Sequence, residues 1–335
     1  MKRSTIAEVA KLAGVSLSTV DRVLNQRAPV RKSTTDVVME AARQLGYLAE
    51  GAGAETIVLG FLLLQSFRPF YRNIASALEN AVTQLKGAKI EIRITFVDDL
   101  APQKVAEQLL ELGNQVDAVG VVAAEYPEVV FAIETLHSQN KPVCSLISNL
   151  SAGCSVGYVG LDNRKVGRAA AWGLAHLCKK PGKLGIMLGS HRYRCQEQNE
   201  IGFRSYLREF GPNFTILEPF STFENPEIAE EMTHKILREE PDLTGLYVAG
   251  GELTGVLKAL KETKHSENLV VVGHELIETT RKGLMEETLS LVIAHPIEQL
   301  AREGISALLD SLDTPENGSL PMRNIPFELY ISENI

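Results

Sequence analysis

Three sets of side chains could carry recognition chemistry, and none of them forms a catalytic constellation. The first is Ser16-Leu17-Ser18-Thr19 with Arg22 and Asn25. A guanidinium such as Arg22 can pair in bidentate fashion with guanine, and an apolar side chain such as Leu17 can touch a thymine methyl. The hydroxyls and amide of Ser16, Thr19 and Asn25 suit phosphate oxygens or helix caps. The second set is the adjacent aromatic pair Phe70 and Tyr71. Aromatic rings suit the apolar C–H face of a sugar, or else they pack in a core. The third is Asp162, between a β-rich run and a helical one. Its carboxylate can accept two hydroxyl hydrogen bonds, cap the helix that follows, or do both. No Ser/His/Asp, zinc or Walker pattern is present, so no catalytic residue, metal or cofactor is expected. Cys144, Cys154, Cys178 and Cys195 show no CxxC spacing, which fits a reducing compartment.

The elements that must hold the first set are legible. Thr5 precedes an apolar pattern at Ile6, Val9, Ala10 and Ala13, and Glu8 completes a capping-box spacing. Gly14 can end that helix in the left-handed conformation, and Ser16 can cap a second one with Val20, Val23 and Leu24 inside. Two short helices joined by a Gly-containing turn make a helix-turn-helix, whose second helix enters a major groove. A third helix, starting at Ser33 or Thr34 after a turn with Pro29, places Val37, Val38, Ala41, Ala42 and Leu45 inward and ends at Gly46. The plainer alternative is a small helical bundle with no DNA role.

Charge supports the division. Of 34 Lys/Arg and 42 Asp/Glu in 335 residues, the first fifty residues hold eight and five. A slightly basic head therefore precedes an acidic body, as expected of a small DNA-binding module joined to a different domain. Met1-Lys2-Arg3 leads straight into an amphipathic pattern, so no secretory leader is expected. The apolar run Ile57 to Leu64 is strand-length, far too short for a membrane span. From there β-rich runs alternate with helical stretches, among them Ile90–Val97, Ala118–Val122, Pro142–Ile147, Lys183–Leu188 and Gly245–Val248. That order implies parallel sheets flanked by helices, and the length allows two such lobes.

The head resembles the lactose-repressor family of bacterial regulators. The resemblance is carried by Thr5-Ile6 through Val9-Ala10, Ala13-Gly14-Val15-Ser16, Thr19-Val20, Arg22-Val23-Leu24-Asn25 and Ala41-Ala42 through Leu45-Gly46-Tyr47. The body resembles the type I periplasmic sugar-binding fold that serves as the effector domain in that family. Its landmarks are Pro69-Phe70-Tyr71, Tyr158 through Asn163 with Gly167, Gly202-Phe203, Gly273-His274-Glu275 and Ile293-Ala294-His295-Pro296. The expected architecture is an all-α head over residues 1–48, a short linker at 49–56 and a two-lobed, doubly wound parallel α/β body over 57–335. Lobe 1 would hold about 57–161 and 296–322, and lobe 2 about 162–295 and 323–335. Crossovers are implied near Leu161, His295 and Met322.

The resemblance also implies roles. Leu17, Ser18 and Arg22 take base-facing positions. Phe70, Tyr71, Asp162, Arg194, Asn199, Glu275 and His295 are candidate ligand residues in an interlobe cleft. Several depart from the family pattern: Glu275 stands for Asp, His295 for Gln, Asn199 for an Arg that Arg192 or Arg194 could replace, and Gly250-Gly251 for Asn-Asp. The linker Leu48 to Glu55 lacks the Leu that wedges into the minor groove, so little DNA distortion is expected. The implied function is a cytoplasmic, homodimeric transcription regulator, a repressor rather than an activator. It would bind operator DNA and a sugar-like effector, with no membrane partner. A sugar-binding transport component, or less readily an enzyme, is the alternative.

Overall fold

The computed structural model describes residues 5–24, 30–45, 47, 56–85, 89–250, 252–263, 269–315 and 318–335. The expectations for Asn25, Pro29, Gly46, Gly251 and nearly all of the linker lie outside those residues.

The head is three helices: α1 (Ile6–Ala13), α2 (Leu17–Leu24) and α3 (Lys32–Gln44). Thr5 caps α1 through a complete capping box, in which the Glu8 carboxylate accepts from the Thr5 amide at 2.7 Å. Gly14 follows with φ +67°, the left-handed geometry a non-glycine residue adopts only with strain. The Ser16 hydroxyl accepts from the Thr19 amide at 3.2 Å and so caps α2. Val9, Ala10, Val20, Val38, Ala41 and Ala42 form the buried core. Helix α3 starts at Lys32, before Ser33 or Thr34, because the Arg31 carbonyl accepts the Thr34 and Thr35 amides.

The body alternates strands and helices. The first lobe carries β1 (Ile57–Leu64), α4 (Pro69–Gln84), β2 (Ile90–Val97), α5 (Pro102–Gly113), β3 (Ala118–Val121), α6 (Pro127–Ser138), β4 (Val143–Leu146) and β5 (Gly157–Leu161). The second carries α7 (Asn163–Leu177), β6 (Lys183–Leu188), α8 (Arg194–Phe210), β7 (Thr215–Ile216), β8 (Phe220–Ser221), α9 (Pro226–Glu239), β9 (Leu243–Val248), α10 (Leu253–Thr263), β10 (Val270–His274), α11 (Glu278–Met285) and β11 (Leu291–Ala294). The chain returns to the first lobe for α12 (Ile297–Leu312) and β12 (Met322–Ile325), then ends in the second with β13 (Glu328–Tyr330) and a 3-10 turn.

Strand order is β12-β5-β4-β3-β1-β2 in one sheet and β13-β11-β10-β9-β6-β7 in the other, with β8 also on β6. Inner strands such as β1, β3, β4 and β5 are buried on both faces, as the continuous apolar run Ile57–Leu64 requires, while the edge strands β2, β12 and β13 are only partly covered. Among the strand pairings described, only β13 on β11 is antiparallel. Three chain passages join the lobes: after Leu161, at His295-Pro296, and after Ile325. The third lies beyond Met322, because Met322 to Ile325 pair in parallel with Tyr158 to Leu161 and stay in the first sheet.

Two glycines set the packing of α7 on α8. A Cβ on Gly167 would overlap the Asn199 carbonyl, and one on Gly202 the Arg164 carbonyl. The helices touch backbone to backbone, which fixes Asn163 and Asn199 at their near ends.

Candidate functional site

Ligands in parallel α/β folds bind beyond the carboxyl ends of the strands. Here both sheets present those ends to one cavity of about 190 Å³. Its size suits a small polar molecule, below the usual range of about 300–1,000 Å³ for drug-sized ligands.

From the first lobe, α4 starts directly after β1 and puts Phe70 and Tyr71 in the lining. Their ring centroids lie 5.2 Å apart, and Phe70 lies 5.9 Å from the His295 ring. Burial raises the Tyr71 phenol far above its ordinary pKa, so it stays neutral and hydrogen-bonds without charge.

From the second lobe, β10 ends in His274, and Glu275 follows it. Glu275 has φ +65°, an uncommon conformation for a non-glycine residue. Its two carboxylate oxygens meet His295: Oε1 lies 2.7 Å from Nδ1, and Oε2 accepts the His295 amide at 3.1 Å. Burial pushes Glu275 upward, but the His295 charge and its hydrogen bonds outweigh this and hold the carboxyl below its ordinary value. With Nδ1 committed to the carboxylate, Nε2 is the free ring position, and it is buried without a protein partner. The Asn199 amide on α8 is similar. Its Nδ2 donates to the Ala249 carbonyl at 3.3 Å, while its buried Oδ1 has no partner. His274 lies 2.9 Å from the Tyr247 hydroxyl, and burial lowers its pKa to about 4.

Phe70, Tyr71, Asn199, Glu275 and His295 therefore converge on the cavity, and Asp162 and Arg194 do not line it. Asp162 caps α7 by accepting the Lys165 amide at 3.2 Å, and it also pairs with the Lys165 ammonium at 3.1 Å. The capping alternative describes its place, because the residue before a helix turns its carboxylate back onto the first-turn amides. Asp162→Ala is expected to cost about 1 kcal/mol in urea unfolding, the usual cost of losing a cap. It should leave ligand-induced stabilisation intact. Loss of that stabilisation without loss of the fold would restore Asp162 to the site. Arg194 turns the other way and joins Glu125 at 3.3 Å and the Ser151 hydroxyl, both on the first lobe.

Sequence reasoning missed a second polar set. Arg68, just before α4, reaches across the cleft to Glu224 at 3.2 Å, its carbonyl at 2.8 Å, and Glu252 at 2.5 Å. Gln196 holds Glu224 with its amide nitrogen at 2.9 Å, while its oxygen accepts from Gly189 and Ser190. Arg68 adjoins Pro69-Phe70-Tyr71, so its position was within reach of the motif. Glu224 follows a two-residue strand and Glu252 begins after a glycine pair, where no periodicity points to a site.

On the head, Ser16, Leu17, Ser18 and Arg22 are exposed and Thr19 is partly so. Leu17 is 55% exposed, in a helix whose Val20 is fully buried. An exposed leucine beside hydroxyls and a guanidinium leaves an amphipathic face free for a groove.

Residues 59–316 match the periplasmic binding protein domain family, and residues 5–50 match the bacterial regulatory proteins of the lacI family. Similar curated proteins include the ribose operon repressor of Bacillus subtilis, 25% identical over 318 residues and covering 91% of each chain. Another is the HTH-type transcriptional repressor PurR of Haemophilus influenzae, 24% identical over 328 residues, 94% of this chain and 93% of its own. A periplasmic solute binding protein of Actinobacillus succinogenes with bound D-allose superposes with a TM-score of 0.74 at 18% identity, over 83% of this chain and 98% of its own. The glucose-galactose binding protein GanP of Geobacillus stearothermophilus gives 0.73 at 17% identity, over 84% and 99%. The solved structures carry the fold alone.

Proposed function

Because the chain belongs to the periplasmic binding protein domain family and begins with a lacI-family regulatory segment, we propose that it is a sequence-specific transcription regulator controlled by a small polar ligand in the cleft. The observation that carries this reading is the joint presence of a complete capped helix-turn-helix and a two-lobed cleft with unpartnered polar atoms. A sugar, polyol or derivative suits aromatic faces beside buried acceptors. The protein acts in the cytoplasm as a homodimeric repressor on a pseudo-palindromic operator, and ligand binding shifts lobe geometry and so operator affinity. A binding role rather than an enzymatic one is favoured by the Cys195 thiol, which burial raises to about 12, so that this cleft cysteine is not a poised thiolate. No helix among the described residues is long and apolar enough to cross a membrane.

A transport role finds support in the solute-binding neighbours, but the N-terminal match to regulators has no use there. The deciding experiment selects duplexes from a random pool with the full chain and follows their retention by gel shift. A regulator enriches a two-fold symmetric sequence, whereas a transport component enriches none. Arg22→Ala is expected to weaken the selected duplex by about 5- to 150-fold, corresponding to about 1–3 kcal/mol, and to relax one base pair in each half-site. Equal loss on selected and random DNA would make Arg22 a phosphate contact.

A further inference from the structure

The charges around the cavity do not balance. Glu224, Glu252 and Glu275 face it, against one guanidinium, Arg68. Even with His295 counted as a cation, the acids exceed the bases. The other titratable lining groups add nothing positive: burial keeps His274 as the free base, and Tyr71, Tyr193 and Cys195 as neutral donors. No lysine is among the described lining residues. Arg194 lies outside and is occupied by Glu125.

Arg68 is already shared between two carboxylates. Three of its five N–H donors go to Glu224 and Glu252, and its buried Nε has no partner. With its charge already met by two carboxylates, the guanidinium has little to offer a phosphate. Two other buried atoms are orphaned, and one of them calls for a donor. Asn199 Oδ1 accepts only, and its residue is 3% exposed. His295 Nε2, the ring nitrogen left over by the Nδ1–Glu275 contact, also has no partner, and its residue is 6% exposed. The Phe70 and Tyr71 rings complete a lining that attracts cations through their negative faces.

We propose that this cleft selects a polyol or sugar bearing an ammonium group over its neutral counterpart, and excludes phosphorylated sugars. The ammonium supplies a donor to the orphaned Asn199 oxygen and the missing positive charge. Burial, reinforced by the like charge of Glu224, raises the Glu252 pKa in spite of Arg68, which fits a carboxyl short of cationic partners. The inference rests on the ligand-controlled regulator reading and specifies the ligand class of the same cleft.

The test uses the full chain and matched series of hexoses in the gluco, galacto and manno configurations. Each series contains the neutral sugar, the 2-amino sugar, its N-acetyl derivative and the 6-phosphate. Thermal stabilisation is followed by calorimetry. In the series that binds, the amine should bind about tenfold or more tightly than the neutral and N-acetyl members, the scale of one partly buried charge pairing. The phosphates should give no shift. Glu252→Gln should erase most of the amine preference, read as the ratio of amine to neutral-sugar affinity. Binding of neutral and amino members with equal affinity, tighter phosphate binding, or no stabilisation by any amine would overturn the proposal. If a neutral sugar binds best and also changes operator retention, the charge preference fails and the regulator reading stands. If no duplex is enriched while the amines still bind best, the regulator reading fails and the ligand class stands.

Discussion

Gly202→Ala is expected to destabilise the body by about 3 kcal/mol or more, in a place where alanine would ordinarily help. Within a helix, alanine is favoured over glycine by about 1 kcal/mol, because glycine loses more backbone freedom on folding. Gly202 sits inside α8, and its Cα lies against the Arg164 carbonyl of α7. The obstacle to a Cβ is backbone, so no rotamer change relieves it. The two helices must part, and Gly167 against the Asn199 carbonyl then loses its own contact. Ordinary overpacking costs about 1–3 kcal/mol, and a forced helix separation belongs at or above the top of that range. Folded domains have only about 5–15 kcal/mol to lose, so the variant should show a much lower urea midpoint by circular dichroism. A midpoint equal to or above that of the unchanged protein would mean that α7 and α8 stand further apart. The same movement would displace Asn163 and Asn199, so ligand response should fall along with stability.

The second large effect is expected with pH. His274 ionises at about 4 in the folded protein, against an ordinary 6.5, because burial disfavours the imidazolium. Between those values the unfolded chain binds the proton and the native state does not. Stability is therefore complete above pH 6.5 and falls as pH drops towards 4. The full loss is about 3 kcal/mol, since one pKa unit corresponds to about 1.36 kcal/mol. Glu275 acts in a lower window. Its folded pKa is depressed, so its contribution is present above the unfolded carboxyl value and is lost only as pH falls through the folded one. Urea midpoints between pH 7.5 and 4.5 should thus trace His274. His274→Gln keeps a polar side chain beside the Tyr247 hydroxyl and should flatten most of that slope. An unchanged slope in the variant would assign the dependence to another group.

Much of this molecule could be read from its sequence, for reasons specific to each part. The head was legible because Thr5, Glu8, Gly14 and Ser16 are local signals: caps and a left-handed turn act within four residues. The strands β1 and β6 were legible because apolar runs have one good solution between helical layers, and β2 because Ile90, Ile92 and Ile94 alternate with polar residues. The short strand β8 was missed because two residues carry no pattern. In the cleft, Glu275 and His295 were found through neighbours in sequence, but their mutual hydrogen bond joins strands twenty residues apart and becomes visible only when β10 pairs β11. Asp162 illustrates the opposite limit. A carboxylate between strand and helix reads equally well as ligand or cap, and only its direction separates the two. The Arg68–Glu224 contact spans 156 positions, and no local pattern could announce it.

The three chain passages between the lobes have a mechanical meaning. One tether would act as a ball joint and leave the lobes three rotations. Here the passages emerge beside one another, since β5 lies next to β12 in one sheet and β11 next to β13 in the other. Three adjacent tethers of nearly fixed length resist twist and sideways tilt, and they leave one compliant rotation. Whatever occupies the cleft can then report itself only as a single angle. A signal with one degree of freedom keeps its sign wherever it is read on the body, so effector and readout surfaces need not be near each other to agree.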